Sequence, residues 1–117
     1  MEFKKSVVIL GTRYRIIRQA YNIHEDLLGY TNSATKIICI TLHETMPGWK
    51  DKSSKEIDIE EKTTLRHEIF HAFLNESGLQ CCANQYRGSW SRNEEMIDFL
   101  AIQSPKIFKV FQELDIL

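Results

Sequence analysis

Residues 65–73 read Leu65-Arg66-His67-Glu68-Ile69-Phe70-His71-Ala72-Phe73, and the spacing within this stretch organises the rest of the chain around it. Leu65, Ile69, Ala72 and Phe73 recur at three- and four-residue steps, the pattern of a helix that buries one stripe. His67 and His71 are four residues apart, so a helix sets both imidazoles on one face, about one turn apart, within reach of a single tetrahedral cation. Glu68 stands at the edge of that face, where a carboxylate can hold a water beside the metal and serve as general base in hydrolysis.

The helix extends in both directions from this core. Asp58 can cap its start, Glu60 and Glu61 suit the positive end of the helix dipole, and Gly78 sits where a C-terminal cap belongs. These signals predict a helix from about Ile59 to Ser77. Upstream, Val7-Val8-Ile9-Leu10 and Tyr14-Arg15-Ile16-Ile17 flank Gly11-Thr12 and predict a β-hairpin. Gly29-Tyr30-Thr31 and Lys36 to Leu42, separated by Asn32-Ser33-Ala34-Thr35, predict a second. Met46-Pro47-Gly48-Trp49 marks a turn, so residues 44–56 are expected as a surface loop, with Lys50 to Lys55 a solubilising connector rather than a lid.

Downstream, Ser89 or Ser91 can cap a second helix through Met96, Phe99, Leu100 and Ile102, and Pro105 is expected to open another short one over Lys106 to Leu114. Strands first and helices after specify an α+β domain: N-terminal antiparallel hairpins forming a small sheet packed on the two-histidine helix and a second helix. At 117 residues, with no repeat or linker, the chain is read as one domain over 1–117.

Composition narrows the function classes. A formal net charge of -1 provides no global pull toward nucleic acid or anionic lipid, so neither is expected as a partner. The basic and aromatic positions Arg13, Arg15 and Arg18, and Tyr86, Arg87, Trp90 and Arg92, are read as solvated surface. Ile37 to Leu42 is far too short to span a bilayer, and a cytoplasmic protein is expected. Cys39, Cys81 and Cys82 are an odd set with an adjacent pair, which argues for reduced thiols; ligation by Cys81 and Cys82 would instead close the metal site.

A catalytic site of this kind needs a third protein ligand and an open fourth position. Glu76, Glu94, Glu95 and Asp98 are the candidates. Glu76 lies too close on the same helix and is read as a solvent-facing carboxylate. Glu94 precedes Asp98 by four and Ala101 by seven residues, so one helix face offers a ligand, a carboxylate able to hold a histidine from behind, and a small residue that permits close packing. Glu95 shares its face with Phe99 and Ile102 and is the alternative ligand.

Taken together, His67-Glu68-Ile69-Phe70-His71 and Asn93-Glu94-Glu95-Met96-Ile97-Asp98 resemble the gluzincin pattern of a helix-borne HExxH followed by Glu-x-x-x-Asp. The layout, with Thr63-Thr64-Leu65-Arg66 before the motif and Ala72 to Leu79 after it, is similar to small phage-encoded metallopeptidases. It is more distantly similar to zincin domains of repressor-cleaving proteins of mobile elements. The resemblance implies a minimal zincin-like fold, zinc held by His67, His71 and Glu94, Glu68 as general base, Asp98 supporting a ligand histidine, and hydrolysis of a peptide bond in a protein or peptide substrate. For a phage-encoded chain it implies the host cytoplasm. The larger members carry a Tyr or His that steadies the oxyanion; His43, Tyr86 and Arg87 are the candidates here. A non-catalytic zinc-bound protein-interaction module is the alternative reading.

Overall fold

The computed structural model describes residues 4–79 and 90–117. Cys81, Cys82, Tyr86 and Arg87 lie outside the described residues, as do Ser89 and the roles considered for them.

The described residues form an α+β domain of four strands and two long helices. Strands β1 (Ser6–Ile9) and β2 (Thr12–Gln19) make the first hairpin. Its two-residue turn places Leu10 at φ 49° and Gly11 at φ 85°, the paired positive φ values of a primed turn whose twist matches that of the strands. Strands β3 (Gly29–Asn32) and β4 (Ile37–Thr41) make the second. Asn32 shapes its turn by accepting hydrogen bonds at Oδ1 from the Ala34 and Thr35 amides, both at 3.0 Å.

The hairpins are not laid side by side in sequence order. The sheet order is β1-β2-β4-β3, with β2 and β4 parallel, which leaves β3 as an edge strand. Strand alternation then sorts the side chains. Ile9, Tyr14, Ile38 and Ile40 face α1 (Ser54–Glu76) and form the core with Ala72, against which Val7, Ile16, Leu65 and Ile69 pack. Phe73 is 41% exposed and does not continue the buried stripe.

Helix α1 spans Ser54–Glu76, beginning five residues before the expected Ile59. Ser53, not Asp58, is the cap. Its hydroxyl accepts from the Glu56 amide while the Glu56 carboxylate accepts from the Ser53 amide, a reciprocal box that meets two otherwise orphaned donors. Asp58 instead pairs with Lys62 one turn on. At the other end Gly78, at φ 89°, closes a Schellman motif in which Gly78 and Leu79 amides return to the Asn75 and Leu74 carbonyls. The expected loop therefore shrinks. Residues 43–45 form a 3-10 turn, and Trp49 packs edge-on against the buried His43 ring. The Lys50–Lys55 segment runs into the start of α1, about 20 Å along the helix from His67 at 1.5 Å per residue, too far to act as a lid.

Helix α2 spans Glu94–Glu113 without the break expected at Pro105. Its cap is Asn93, whose Oδ1 accepts from the Met96 amide at 2.9 Å, while Ser91 lies buried in a preceding 3-10 turn. Pro105 has no amide hydrogen for the Ala101 carbonyl, and the helix continues because Arg66 Nε donates to that oxygen at 2.6 Å. Ile97, Ala101 and Ser104 form the buried side of α2, and Ala101 has the close-packed role its size suggests. Phe99 and Ile102, on the face shared by Glu95, point outward. Among the described residues no helix is long and apolar enough to cross a membrane.

Glu76 and His43 also take positions the spacing did not indicate. The Glu76 carboxylate accepts from Thr12 Oγ1, Tyr14 Oη and Lys36 Nζ at 3.0, 2.6 and 2.6 Å, tying the end of α1 to the sheet instead of facing solvent. His43 is fully buried, with Nδ1 donating to the Thr41 carbonyl at 2.7 Å and Nε2 3.2 Å from the Thr64 hydroxyl. Its amide reaches Glu61, which Arg18 holds through both carboxylate oxygens at 2.7 and 2.8 Å. His43 is therefore a core residue rather than an oxyanion partner.

Candidate metal centre

The site forms where α2 runs back along α1. Residue pairs His71–Glu94, His67–Asp98 and Arg66–Ala101 succeed one another along the two helices in opposite directions. The i, i+4 spacing puts the two imidazoles together, with Nε2 atoms 3.1 Å apart. Glu94 approaches from the first turn of α2, its Oε2 3.1 Å from His67 Nε2 and its Oε1 3.1 Å from His71 Nε2. Glu95 is exposed one position on and reaches neither ring. The two imidazole nitrogens and the Glu94 carboxylate thus converge, each ring meeting its own carboxylate oxygen at the same 3.1 Å that separates the rings. Donors bound ~2.05 Å from a tetrahedral ion lie about 3.3 Å apart, so these groups could hold a cation of zinc-like size.

The hydrogen bonds behind the rings bear on the same question. His67 Nδ1 is 2.8 Å from Asp98 Oδ1, and His71 Nδ1 contacts the Ser91 carbonyl. Both Nδ1 positions therefore donate outward, which makes each inward Nε2 a lone-pair acceptor in the neutral ring. With the Glu94 carboxylate, three acceptor groups converge, and among the described residues no hydrogen-bond donor is found between them. These residues could hold a cation. His67, Glu68 and His71 each present a ligand atom within 4.8 Å of the others, but Glu94 is the nearer carboxylate, because Glu68 Oε2 lies 3.9 Å from His67 Nε2.

Glu68 is held apart from these groups by the sheet. It is 6% exposed, and the Thr31 hydroxyl on β3 lies 2.9 Å from its Oε1 and 2.8 Å from its backbone carbonyl. Burial pushes the Glu68 carboxyl above the usual carboxylate range, opposed by the neighbouring His67 ring and the Thr31 hydrogen bond. Thr31 engages one oxygen and leaves Oε2 toward the histidines.

Gly29 permits this contact. A Cβ there would meet the Cys39 carbonyl at 2.7 Å, Thr64 Cγ2 at 3.1 Å and Glu68 Cγ at 3.4 Å, so any side chain would push β3 off α1. Thr31 and Gly29 were not among the site residues expected from sequence. Each acts across a strand–helix contact, and single-chain spacing carries no signal of that contact.

The centre lines an open groove. One cavity of about 420 Å³ holds Gly29, Tyr30, Thr31, Asn75 and Arg92 around the histidines, and an adjoining one of about 450 Å³ continues past Thr64, Asp98 and Ile102. Leu27, Gly29, His67, Glu68 and Glu94 border both. The groove therefore passes the centre on two sides, with the edge strand β3 forming one wall. Cys39 is a buried free thiol whose burial raises its pKa. Compared with protein-family models, with curated proteins and with solved structures, the chain matches none.

Proposed function

We propose that this chain is a zinc-dependent metallopeptidase of the HExxH, gluzincin-like class, with zinc held by His67, His71 and Glu94. The observation that carries the reading is the set of 3.1 Å separations among His67 Nε2, His71 Nε2 and the Glu94 carboxylate, with Glu68 beside them and not among them. A zinc ion bound there supplies a Lewis acid for a carbonyl oxygen and a water of lowered pKa. Glu68 Oε2 takes the proton of the attacking water and returns it to the leaving amine, while Thr31 holds Oε1 and keeps the carboxylate in position. Asp98 and the Ser91 carbonyl fix the tautomers of His67 and His71. Among the described residues strand β3 has a neighbour on one side only, so an extended peptide adds to its open edge by backbone pairing and lies along the groove past Glu68. A protein or peptide substrate fits such a groove better than a compact metabolite.

The test is a comparison of zinc-loaded wild type and Glu68→Gln on a mixture of unstructured peptides read by mass spectrometry. Wild type is expected to cleave; the variant is expected to keep its zinc affinity and lose ~100-fold or more of the cleavage rate. Equal cleavage by both proteins removes Glu68 from the chemistry. Intact zinc binding with no cleavage by wild type leaves a non-catalytic zinc module as the function.

A further inference from the structure

The second half of α2 has an apolar surface that nothing in the described fold covers. Buried positions on this helix end at Ser104, and from Pro105 onward every residue except the half-buried Ile107 is exposed. The sequence there is nevertheless that of a packed helix. Ile107, Val110, Phe111 and Leu114 fall at i, i+3, i+4 and i+7, a single stripe, with Val110 and Leu114 49% and 64% exposed. Phe108 packs against Phe111 beside the stripe, ring centroids 6.4 Å apart. The helix does not fray at its end. Asp115 takes φ 55°, and Asp115 and Ile116 amides return to Gln112 and Phe111 in a second Schellman closure.

We propose that this segment pairs with the same segment of a second copy of the chain, as two antiparallel helices about a two-fold axis near Val110 and Phe111. Self-complementarity selects this occupant. An antiparallel pairing centred there sets Ile107 opposite the partner copy's Leu114 and Val110 opposite the partner copy's Phe111, so the stripe meets itself without a gap. Lys106 and Glu113 are seven residues apart on one flank of the stripe. In an antiparallel pair such flank positions face their own kind, which brings each Lys106 against the other copy's Glu113 twice over. A parallel pairing would instead set this flank against the partner copy's opposite flank and leave Lys106 and Glu113 unmatched.

The exposed apolar side chains continue past the stripe, with Phe108 at 49%, Ile116 at 65% and Leu117 at 73%. Pairing on α2 beyond Pro105 leaves Glu94 and Asp98, at the opposite end of the helix, free to face the metal centre.

The experiment is sedimentation equilibrium of the full chain from about 5 to 200 µM, with circular dichroism as a control for folding. Wild type is expected to dimerise with a Kd on the order of 10 µM or tighter, and Phe111→Asp to raise that Kd by ~100-fold without loss of helix. Lys106→Glu and Glu113→Lys alone are expected to weaken the dimer about fivefold each, and the double variant to restore it. A monomer throughout the range overturns the proposal, as does an open-ended series of larger species. A dimer that ignores Phe111→Asp, or a double variant no better than either single one, overturns it equally. None of these readings depends on zinc or on peptide cleavage.

Discussion

Arg66 and Ala101 are joined by a side-chain hydrogen bond that replaces a missing backbone one: Arg66 Nε donates at 2.6 Å to the carbonyl that Pro105 leaves without its helical partner. Arg66 immediately precedes His67, and Ala101 lies on the helix that carries Glu94 and Asp98. The bond thus fastens together the two elements that build the candidate metal centre. Arg66→Ala is expected to destabilise the fold by ~1–3 kcal/mol, since it leaves a buried carbonyl unsatisfied. Combined with Pro105→Ala, which restores an amide donor, the same change is expected to cost clearly less. Chemical denaturation of the four proteins measures the cycle, and strictly additive effects would contradict this role for Arg66.

The proposed metal ligands make a graded prediction. Glu94→Gln is expected to weaken zinc binding by ~100-fold, Asp98→Asn by ~10-fold through the lost support of His67, and Glu95→Gln not at all. Competition with a chromogenic chelator gives all three affinities. A loss at Glu95 equal to that at Glu94 would mean that α2 is seated differently on α1.

Thr31 offers a separation of binding from chemistry, since it touches Glu68 and none of the three ligand groups. Thr31→Val is expected to leave zinc affinity within about twofold and to lower the cleavage rate by ~10-fold, with Thr31→Ser restoring most of it. The pH profile of cleavage should shift with Thr31→Val, because the hydroxyl favours the ionised Glu68 carboxylate. An unshifted profile with a lowered rate would assign Thr31 to strand placement alone.

Acid should loosen the junction of α1 with the sheet. The hydrogen bond from Lys36, followed by that from Tyr14, holds the Glu76 carboxyl below the usual carboxylate range. A depressed pKa contributes stability that is complete above about pH 4.3, the unfolded value, and is lost as pH falls through the folded value. Glu76→Gln is therefore expected to lower the melting temperature by about 4–8 °C at pH 7, with the gap to wild type narrowing steadily below pH 4. Melting curves from pH 3 to 7 measure this, and a gap independent of pH would refute the linkage.

The spacing of His67, Glu68 and His71, the Gly78 closure, both hairpins and the α+β class were legible in the residues because each depends on neighbours within a few positions. Helix periodicity fixes where two imidazoles point. Gly11 marks the first hairpin, although its turn is Leu10-Gly11, one position before the expected Gly11-Thr12, because strand pairing sets Ile9 opposite Thr12. The start of α1 was misplaced because Asp58 and Ser53 both look like caps. Only the reciprocal bond with Glu56 distinguishes them, and it forms at Ser53.

Tertiary structure decided the rest. Whether Glu94 or Glu95 meets the histidines depends on how α2 rotates against α1, and a one-residue step turns a helix by ~100°. Pro105 looked like a break because its remedy, Arg66, lies 39 positions earlier on another helix. Thr31 and Gly29 entered the site through the sheet order β1-β2-β4-β3, which places β3 at the edge over Glu68. The sequence by itself determined which groups this protein has available for chemistry. Packing of strand on helix and helix on helix determined which of them meet, because such contacts join residues whose separation in the chain carries no period.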